Sequence, residues 1–356
     1  MSNDTSTQLQ GRLANPERIL ADDPRADERL IAAITPFGLA GAGEAPPVTI
    51  SDPMEALQEY CAAAEEGFEG LFVALADGLP AIEGIERSQE TVVGSDGNDI
   101  TLHVHRPSNQ DGSVPAVLHL HGGAMAILST AGPIYSRWRD GLAATGMVVV
   151  GVEFRNSAGS LGPHAFPAGL NDCVSALAWL NDNRNALGVS KVIVSGESGG
   201  GNLSLATAMK AKELGRTEQV DGVYAQCPYI SNLYHTLPDA LPSLIENDGY
   251  FIRNDMMEVF ASIYDGADSV NPLAWPYHAT DDDLSGLPPH AISVNELDPL
   301  RDEGLVHCEN LAAAGVNAVS RTVPGTSHAA DVTFQSALAD LTESTQADIK
   351  RFADSL

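Results

Sequence analysis

The residues Lys191–Ser195 form a short β-branched, apolar run, and Gly196-Glu197-Ser198-Gly199-Gly200 follows directly. Leu203–Leu214 then reads as helix. A strand passing into a helix through G-x-S-x-G is the setting of a very tight turn that lifts a serine hydroxyl above a sheet. Glycines two before and two after the serine keep side chains from colliding there and tolerate φ > 0. The amide of Gly199, at the start of the helix, can point at a developing negative charge. The plain alternative is a glycine-rich strand-to-helix turn of any α/β protein. The rest of the chain has to separate the two.

From Ala116 onward, strands and helices alternate. Strands are expected at Ala116–Leu120, Met147–Phe154, 191–195, Val220–Gln226, Ala291–Val294 and Ala318–Val323. Helices are expected at Ile134–Ala144, Phe166–Leu187, Leu300–Ala314 and Ala337–Phe352. Such alternation predicts an α/β fold, a mainly parallel sheet covered on both faces. Glu90–Gly94 and Ile100–Arg106 flank Ser95-Asp96-Gly97-Asn98 and predict an antiparallel hairpin at the sheet edge. His103 and His105, alternating with Leu102 and Val104, read as exposed strand residues rather than a metal pair.

Two stretches break the pattern. Residues 1–88 carry helical patterns at Arg25–Ile34 and Pro53–Ala64, with helix-start signals at Asn15-Pro16 and Asp23-Pro24 and no convincing strand. They read as a helical arm that needs a core to lie on, hence part of a cap. Residues 229–275 are dense in proline and aromatic residues and interrupt the alternation between two strands, which suggests a second cap segment over the strand ends. The catalytic domain is then 89–228 with 276–356. Asp281-Asp282-Asp283 reads as a solvated acidic loop rather than a calcium site.

Charge narrows the partners. Nineteen Lys+Arg against 48 Asp+Glu leave a formal net charge of −29. A surface like that repels nucleic acid and anionic membranes. Cys61, Cys173, Cys227 and Cys308 are far apart, lack metal-ligand spacing and sit among apolar residues, so buried free thiols are expected. The polar N-terminus has no basic-then-apolar signal pattern, and no apolar run approaches a membrane span. A cytoplasmic, reduced protein is the expectation.

A serine at such a turn becomes a nucleophile only with a base, an acid behind the base, and donors for the oxyanion. On a sheet of this kind they follow in the order Ser, Asp or Glu, His. His328, after the last strand in Pro324-Gly325-Thr326-Ser327-His328, fits the base and is the only histidine beyond position 307. Asn295-Glu296-Leu297-Asp298-Pro299 follows the preceding strand, and Asp298 is favoured over Glu296 as the acid. Asp-Pro also favours a helix cap, and one carboxylate can serve both roles. His121-Gly122-Gly123-Ala124, after Ala116–Leu120, is placed to aim backbone amides inward.

These pieces resemble the hormone-sensitive-lipase-like, or bacterial family IV, esterases of the α/β-hydrolases. The likeness runs from about His119 to His328 and includes Leu284-Ser285-Gly286-Leu287-Pro288-Pro289 and Asp298-Pro299-Leu300-Arg301-Asp302-Glu303-Gly304. It implies the α/β-hydrolase fold, with a central, mostly parallel eight-stranded sheet and a helical cap. It implies Ser198 as nucleophile, Asp298 as acid and His328 as base, with oxyanion amides at Gly123, Ala124 and Gly199 and Gly122 shaping the loop. The chain departs from the family at Ala124, where a third glycine is usual, at Glu197 for Asp, and at Gly200 for Ala. Val152-Glu153-Phe154-Arg155-Asn156 lacks the Ala-Pro-Glu that normally follows.

The expected activity is hydrolysis of short to medium acyl esters through an acyl-enzyme, with no metal or organic cofactor. Tyr229, Tyr250 and Phe251 are candidates for the substrate pocket or for the cap core. Glu197 is expected to anchor the turn through hydrogen bonds. Amide, lactone or carbonate hydrolysis stays open, as does a ligand-binding member of the fold, which would typically have lost a triad residue. The resemblance leaves room for a homodimer through an edge strand or the last helix.

Overall fold

Eight strands form one sheet in the computed structural model, which describes residues 9–356. They are β1 (Ile85–Val93), β2 (Asp99–Pro107), β3 (Val114–Leu120), β4 (Val148–Val152), β5 (Val189–Glu197), β6 (Gly222–Gln226), β7 (His290–Asn295) and β8 (Ala318–Val323). Their order is β1-β2-β4-β3-β5-β6-β7-β8. The β1–β2 hairpin is antiparallel and joins β4 antiparallel; all later pairings are parallel.

The central strands read as unbroken apolar runs because both faces are covered. Their side chains still divide with period two. Val117, Val149 and Ile193 pack with Trp138, Leu142 and Ile349 on one face. Leu118, Val150 and Val194 pack with Leu177, Leu180 and Leu203 on the other. The first face is closed by helices Pro133–Ala144 and Ala339–Ser355, the second by Ala168–Asp182, Gly199–Glu213 and Arg301–Ala313. Fully burying one such side chain is worth roughly 1.5–3 kcal/mol, so the sheet centre anchors the fold.

Several local expectations are corrected. The first strand begins at Ile85, not Glu90, and so crosses the expected boundary at residue 88. Asn15 closes the short helix Gly11–Ala14 instead of starting one. Asp23 starts no helix either, because its carboxylate is drawn to Arg25 and Tyr250; the helix Glu28–Ile34 is capped by Asp27. The second arm helix is Met54–Ala76, well beyond Ala64. Asp281–Leu284 is a helical turn with a Thr280–Asp283 capping box, not an open acidic loop. His105 is buried, since helix Pro133–Ala144 lies on that face: its Nδ1 donates to Asp140 at 2.7 Å and its Nε2 accepts from Arg139 at 3.2 Å. All four cysteines are buried and free. Residues 1–8 of the expected arm lie outside the described residues.

The arm touches the sheet where the later loops emerge. Leu20, Leu30 and Ile34 cluster with Tyr250, Leu297, Phe334 and Leu338. The Asp27 amide donates to the Gly325 carbonyl at 2.9 Å. Arg25 bridges Asp23 and Glu246, and Glu246 also pairs with Arg301 at 3.1 Å. Burial raises both acids, but hydrogen bonds and charge from Arg25 at Asp23, and from Arg301 and Arg25 at Glu246, outweigh it and hold them below their ordinary values. Depressed carboxylates stabilise the fold above their unfolded pKa and lose that contribution as pH falls through the folded one. Arg25→Ala, which leaves a buried acid short of its cation, is expected to cost about 3 kcal/mol at neutral pH and to flatten part of the acid limb, read by urea denaturation across pH.

Candidate active site

Ser198 sits between β5 and helix Gly199–Glu213 with φ 58° and ψ −119°, a strained backbone for a non-glycine residue, worth about 1–3 kcal/mol. The turn is tight because β3 and β5 are neighbours and their ends nearly touch. A methyl group on Gly196 or Gly200 would collide with the Leu120 carbonyl at the end of β3. In this chain that contact leaves no room for a side chain at either position, so the alanine expected to be usual at position 200 would not fit here. The Ser198 amide is fixed by the Gln226 carbonyl of β6 at 2.9 Å.

The loop after β3 wraps over this turn. The Gly122 amide donates to Glu197 Oε1 at 2.8 Å, and Glu197 Oε2 meets His119 Nε2 at 3.2 Å. Glu197 thus ties the two strand ends together, the anchoring expected of it. Gly123 has φ 103°, and Ala124 and Met125 are left-handed at 55° and 56°. Gly199 packs directly against the amides of Ala124 and Met125. The amides of Gly123, Ala124 and Gly199 donate to no other group among the described residues. Gly122 is different: its amide is committed to Glu197, so it shapes the loop rather than offering a donor.

His328 and Asp298 meet where the loops after β8 and β7 come together. His328 Nδ1 donates to Asp298 Oδ2 at 2.7 Å, with Asp298 fully buried. Asp298 Oδ1 accepts from the Leu300 amide at 2.9 Å, so one carboxylate closes the turn before helix Arg301–Ala313 and holds the imidazole; it is not the cap of that helix, whose N-cap is Leu300. Glu296 does not reach the histidine; it accepts from the Gly325 amide at 2.8 Å and braces the preceding turn. Behind His328, Asn295 accepts from the Ala329 amide at 3.2 Å and donates to Asp331, which also accepts from Thr345. No hydrogen bond joins Ser198 to His328 here, although both face one cavity. Such bonds are often loose in an unliganded site and tighten with substrate.

Cys227, Asp298 and His328 are the one group among the described residues with metal-type donors converging, within 4.8 Å of one another. Asp298 and His328 are already spent on each other. Burial pushes the Cys227 thiol well above its ordinary value, which disfavours the thiolate a metal would need.

The cavity measures about 640 Å³, its open mouth included, and is lined mainly by apolar side chains. One wall is Gly122–Ala124, Ser198 and His328. More of the lining comes from helix Met54–Ala76, through Phe68 and Phe72, and from 251–260, through Phe251, Met257 and Phe260. Of the expected aromatics, Tyr229 and Phe251 line it. Tyr250 does not: it is buried in the arm cluster with its hydroxyl on Asp23 at 3.2 Å. Phe68 and Phe72 line it too, with nothing in the sequence to mark them. Their spacing is an ordinary apolar helix stripe, and only the arm's long-range packing aims it at the serine.

An α/β-hydrolase-fold family profile matches residues 117–331. The chain is 34% identical over 241 residues to carboxylesterase NlhH of Mycobacterium tuberculosis, covering 65% of this chain and 71% of that protein. It is 29% identical to an arylesterase of Saccharolobus solfataricus, covering 72% and 80%. Its fold matches a structure described as brefeldin A esterase, a bacterial homologue of human hormone-sensitive lipase, with TM-score 0.94, 44% identity and 97% of each chain covered. It matches esterase Est22 with TM-score 0.84, 34% identity and 95% and 99% covered. The chain belongs to the α/β-hydrolase-fold family. Within that family it falls with the hormone-sensitive-lipase-like esterases that its motifs resemble. No helix among the described residues is long and apolar enough to cross a membrane.

The helix that follows Asp298 carries one more buried acid, Glu303. It accepts from the Ile230 amide at 2.8 Å and from the Tyr234 hydroxyl at 3.3 Å, fixing the loop that brings Tyr229 to the cavity. Burial pushes its carboxyl up to about 8. A carboxyl raised above its unfolded value of 4.5 keeps its proton in the fold, so stability is full below the unfolded pKa and falls as pH rises through the folded one. Glu303→Gln, neutral throughout, is expected to flatten that decline between about pH 5 and 8. Urea denaturation of both proteins over that range tests it.

Proposed function

We propose that the protein is a serine carboxylesterase acting on short to medium acyl esters through Ser198, His328 and Asp298. The observation that carries this reading is the buried Asp298–His328 bond at 2.7 Å, facing the cavity that also holds the strained Ser198. The carboxylate fixes the tautomer with the proton on Nδ1 and leaves Nε2 free to act as base.

His328 takes the Ser198 proton as the hydroxyl oxygen attacks the ester carbonyl. The tetrahedral oxyanion is held by the amides of Gly123, Ala124 and Gly199. His328 then protonates the leaving alkoxide, and water activated by the same imidazole releases the acid. Asp298 stabilises the imidazolium formed in each half-reaction. The arm and residues 229–275 act as a cap whose Phe68, Phe72, Phe251 and Phe260 hold the apolar part of the ester. The apolar, aromatic lining supports an acyl group as the occupant.

Ser198→Ala is expected to abolish hydrolysis of a short p-nitrophenyl ester, and a fluorophosphonate probe is expected to label Ser198 in the unaltered chain. Asp298→Asn is expected to lower kcat about 10⁴-fold by imposing the wrong tautomer. Glu296→Gln, which only weakens a turn, is expected to leave most activity. Full activity in Ser198→Ala, or the large loss falling on Glu296→Gln, overturns the assignment.

A further inference from the structure

The loop that would hold the oxyanion is costly to maintain. Ala124, Met125 and Leu128 all have positive φ, at 55°, 56° and 77°, and none is glycine. Left-handed backbone costs roughly 1–2 kcal/mol per residue for side chains of this kind, so the surroundings must over-determine it. The N-terminal part is held by Glu197. The next part is laced to residues 157–158: Ser157 and Ala158 donate their amides to the Met125 and Ala126 carbonyls, each at 2.9 Å.

The remaining fixed point comes from the arm. Glu65, buried in the middle of helix Met54–Ala76, accepts the Leu128 amide on Oε1 at 2.7 Å. Its Oε2 accepts the Ser160 amide at 2.7 Å, and Oε1 also accepts the Ser160 hydroxyl at 3.2 Å. The Leu128 carbonyl is taken by Asn156 at 2.7 Å. One carboxylate thus clamps both strands of the laced loop pair, with no cation beside it in any ion pair among the described residues. Gly159 is shaped to this clamp, since a Cβ there would press on both Glu65 oxygens.

Glu65, Phe68 and Phe72 stand at i, i+3 and i+7, on one face of a helix. The two phenylalanines line the cavity, as do Ile127 and Leu128 of the clamped loop. We propose that Glu65 is a positioning residue for the reaction: the arm helix sets the oxyanion amides of Gly123 and Ala124 through the Glu65–Leu128 and Glu65–Ser160 bonds. The arm then supplies part of the catalytic electrostatics as well as a wall of the pocket. This rests on the reading of Ser198 and the Gly123–Ala124 amides given above.

The test compares Glu65→Ala and Glu65→Gln with the unaltered chain on a short p-nitrophenyl ester. Glu65→Ala removes both acceptors and is expected to lower kcat about ten- to a hundredfold, below the loss for deleting an oxyanion donor outright. KM is expected to stay within about threefold, and the pH profile of kcat to keep its midpoint, because no side chain of the pocket lining or of the Asp298–His328 pair is substituted. Glu65→Gln keeps one acceptor oxygen and is expected to recover part of kcat. It also carries the test if the alanine variant does not fold. Unchanged kcat in the variants, or a rise in KM with kcat intact, overturns the proposal, because the helix would then serve only as a wall. An unaltered chain that neither hydrolyses the ester nor takes the fluorophosphonate would instead overturn the esterase reading itself.

Discussion

The near-contact between the ends of β3 and β5 governs the site. These strands are parallel neighbours, with Leu120 beside Gly196 in register. Because the elbow passes over the Leu120 carbonyl without side chains at Gly196 and Gly200, the loop after β3 lies directly on the start of the next helix. The Ala124 amide then lies against Gly199, next to Ser198 in the chain, and neither amide has an acceptor among the described residues. Glu197 fixes their spacing by accepting the Gly122 amide from within the elbow itself. Its identity as glutamate is a matter of reach: its carboxylate spans to both Gly122 and His119.

Much of this geometry could be read from the chain because it depends on local rules repeated in order. Strand-turn-helix alternation fixes the sheet, the switch to G-x-S-x-G fixes the elbow, and chain order narrows acid and base to the loops after β7 and β8. Asp298 could be preferred over Glu296 because a carboxylate before proline sits at a turn. What escaped the sequence depends on contacts across hundreds of residues. Tyr250 looks like a pocket aromatic until the arm delivers Asp23 to its hydroxyl. His105 looks exposed by alternation until helix Pro133–Ala144 covers it. Nothing near Phe68 or Phe72 in sequence says which core their stripe would meet.

The chain's acidity has an internal counterpart. Glu65 and Glu197, both buried, and the half-buried Glu153 accept backbone amides from loops around the site rather than pairing with surface cations, as does Glu303 in its protonated form. A carboxylate offers several acceptor positions on two rigidly linked oxygens, so it can hold two loop segments at once. Loops that lack regular secondary structure gain fixed points in this way, and backbone donors that would otherwise be orphaned are satisfied.

The arm's docking on Leu297, Ala330, Phe334 and Leu338 also bears on how the chain is made. Leu20, Leu30 and Ile34 have their partners at Leu297, Ala330, Phe334 and Leu338, so those contacts cannot close until both distant segments have been made. Loop closure over such a span slows assembly relative to local helix and hairpin formation. The sheet from β1 to β6 can gather its apolar faces on the ribosome. The loop after β8 and the arm that packs beside it can join only afterwards, so the buried Asp298–His328 bond is completed on a sheet that is already in place.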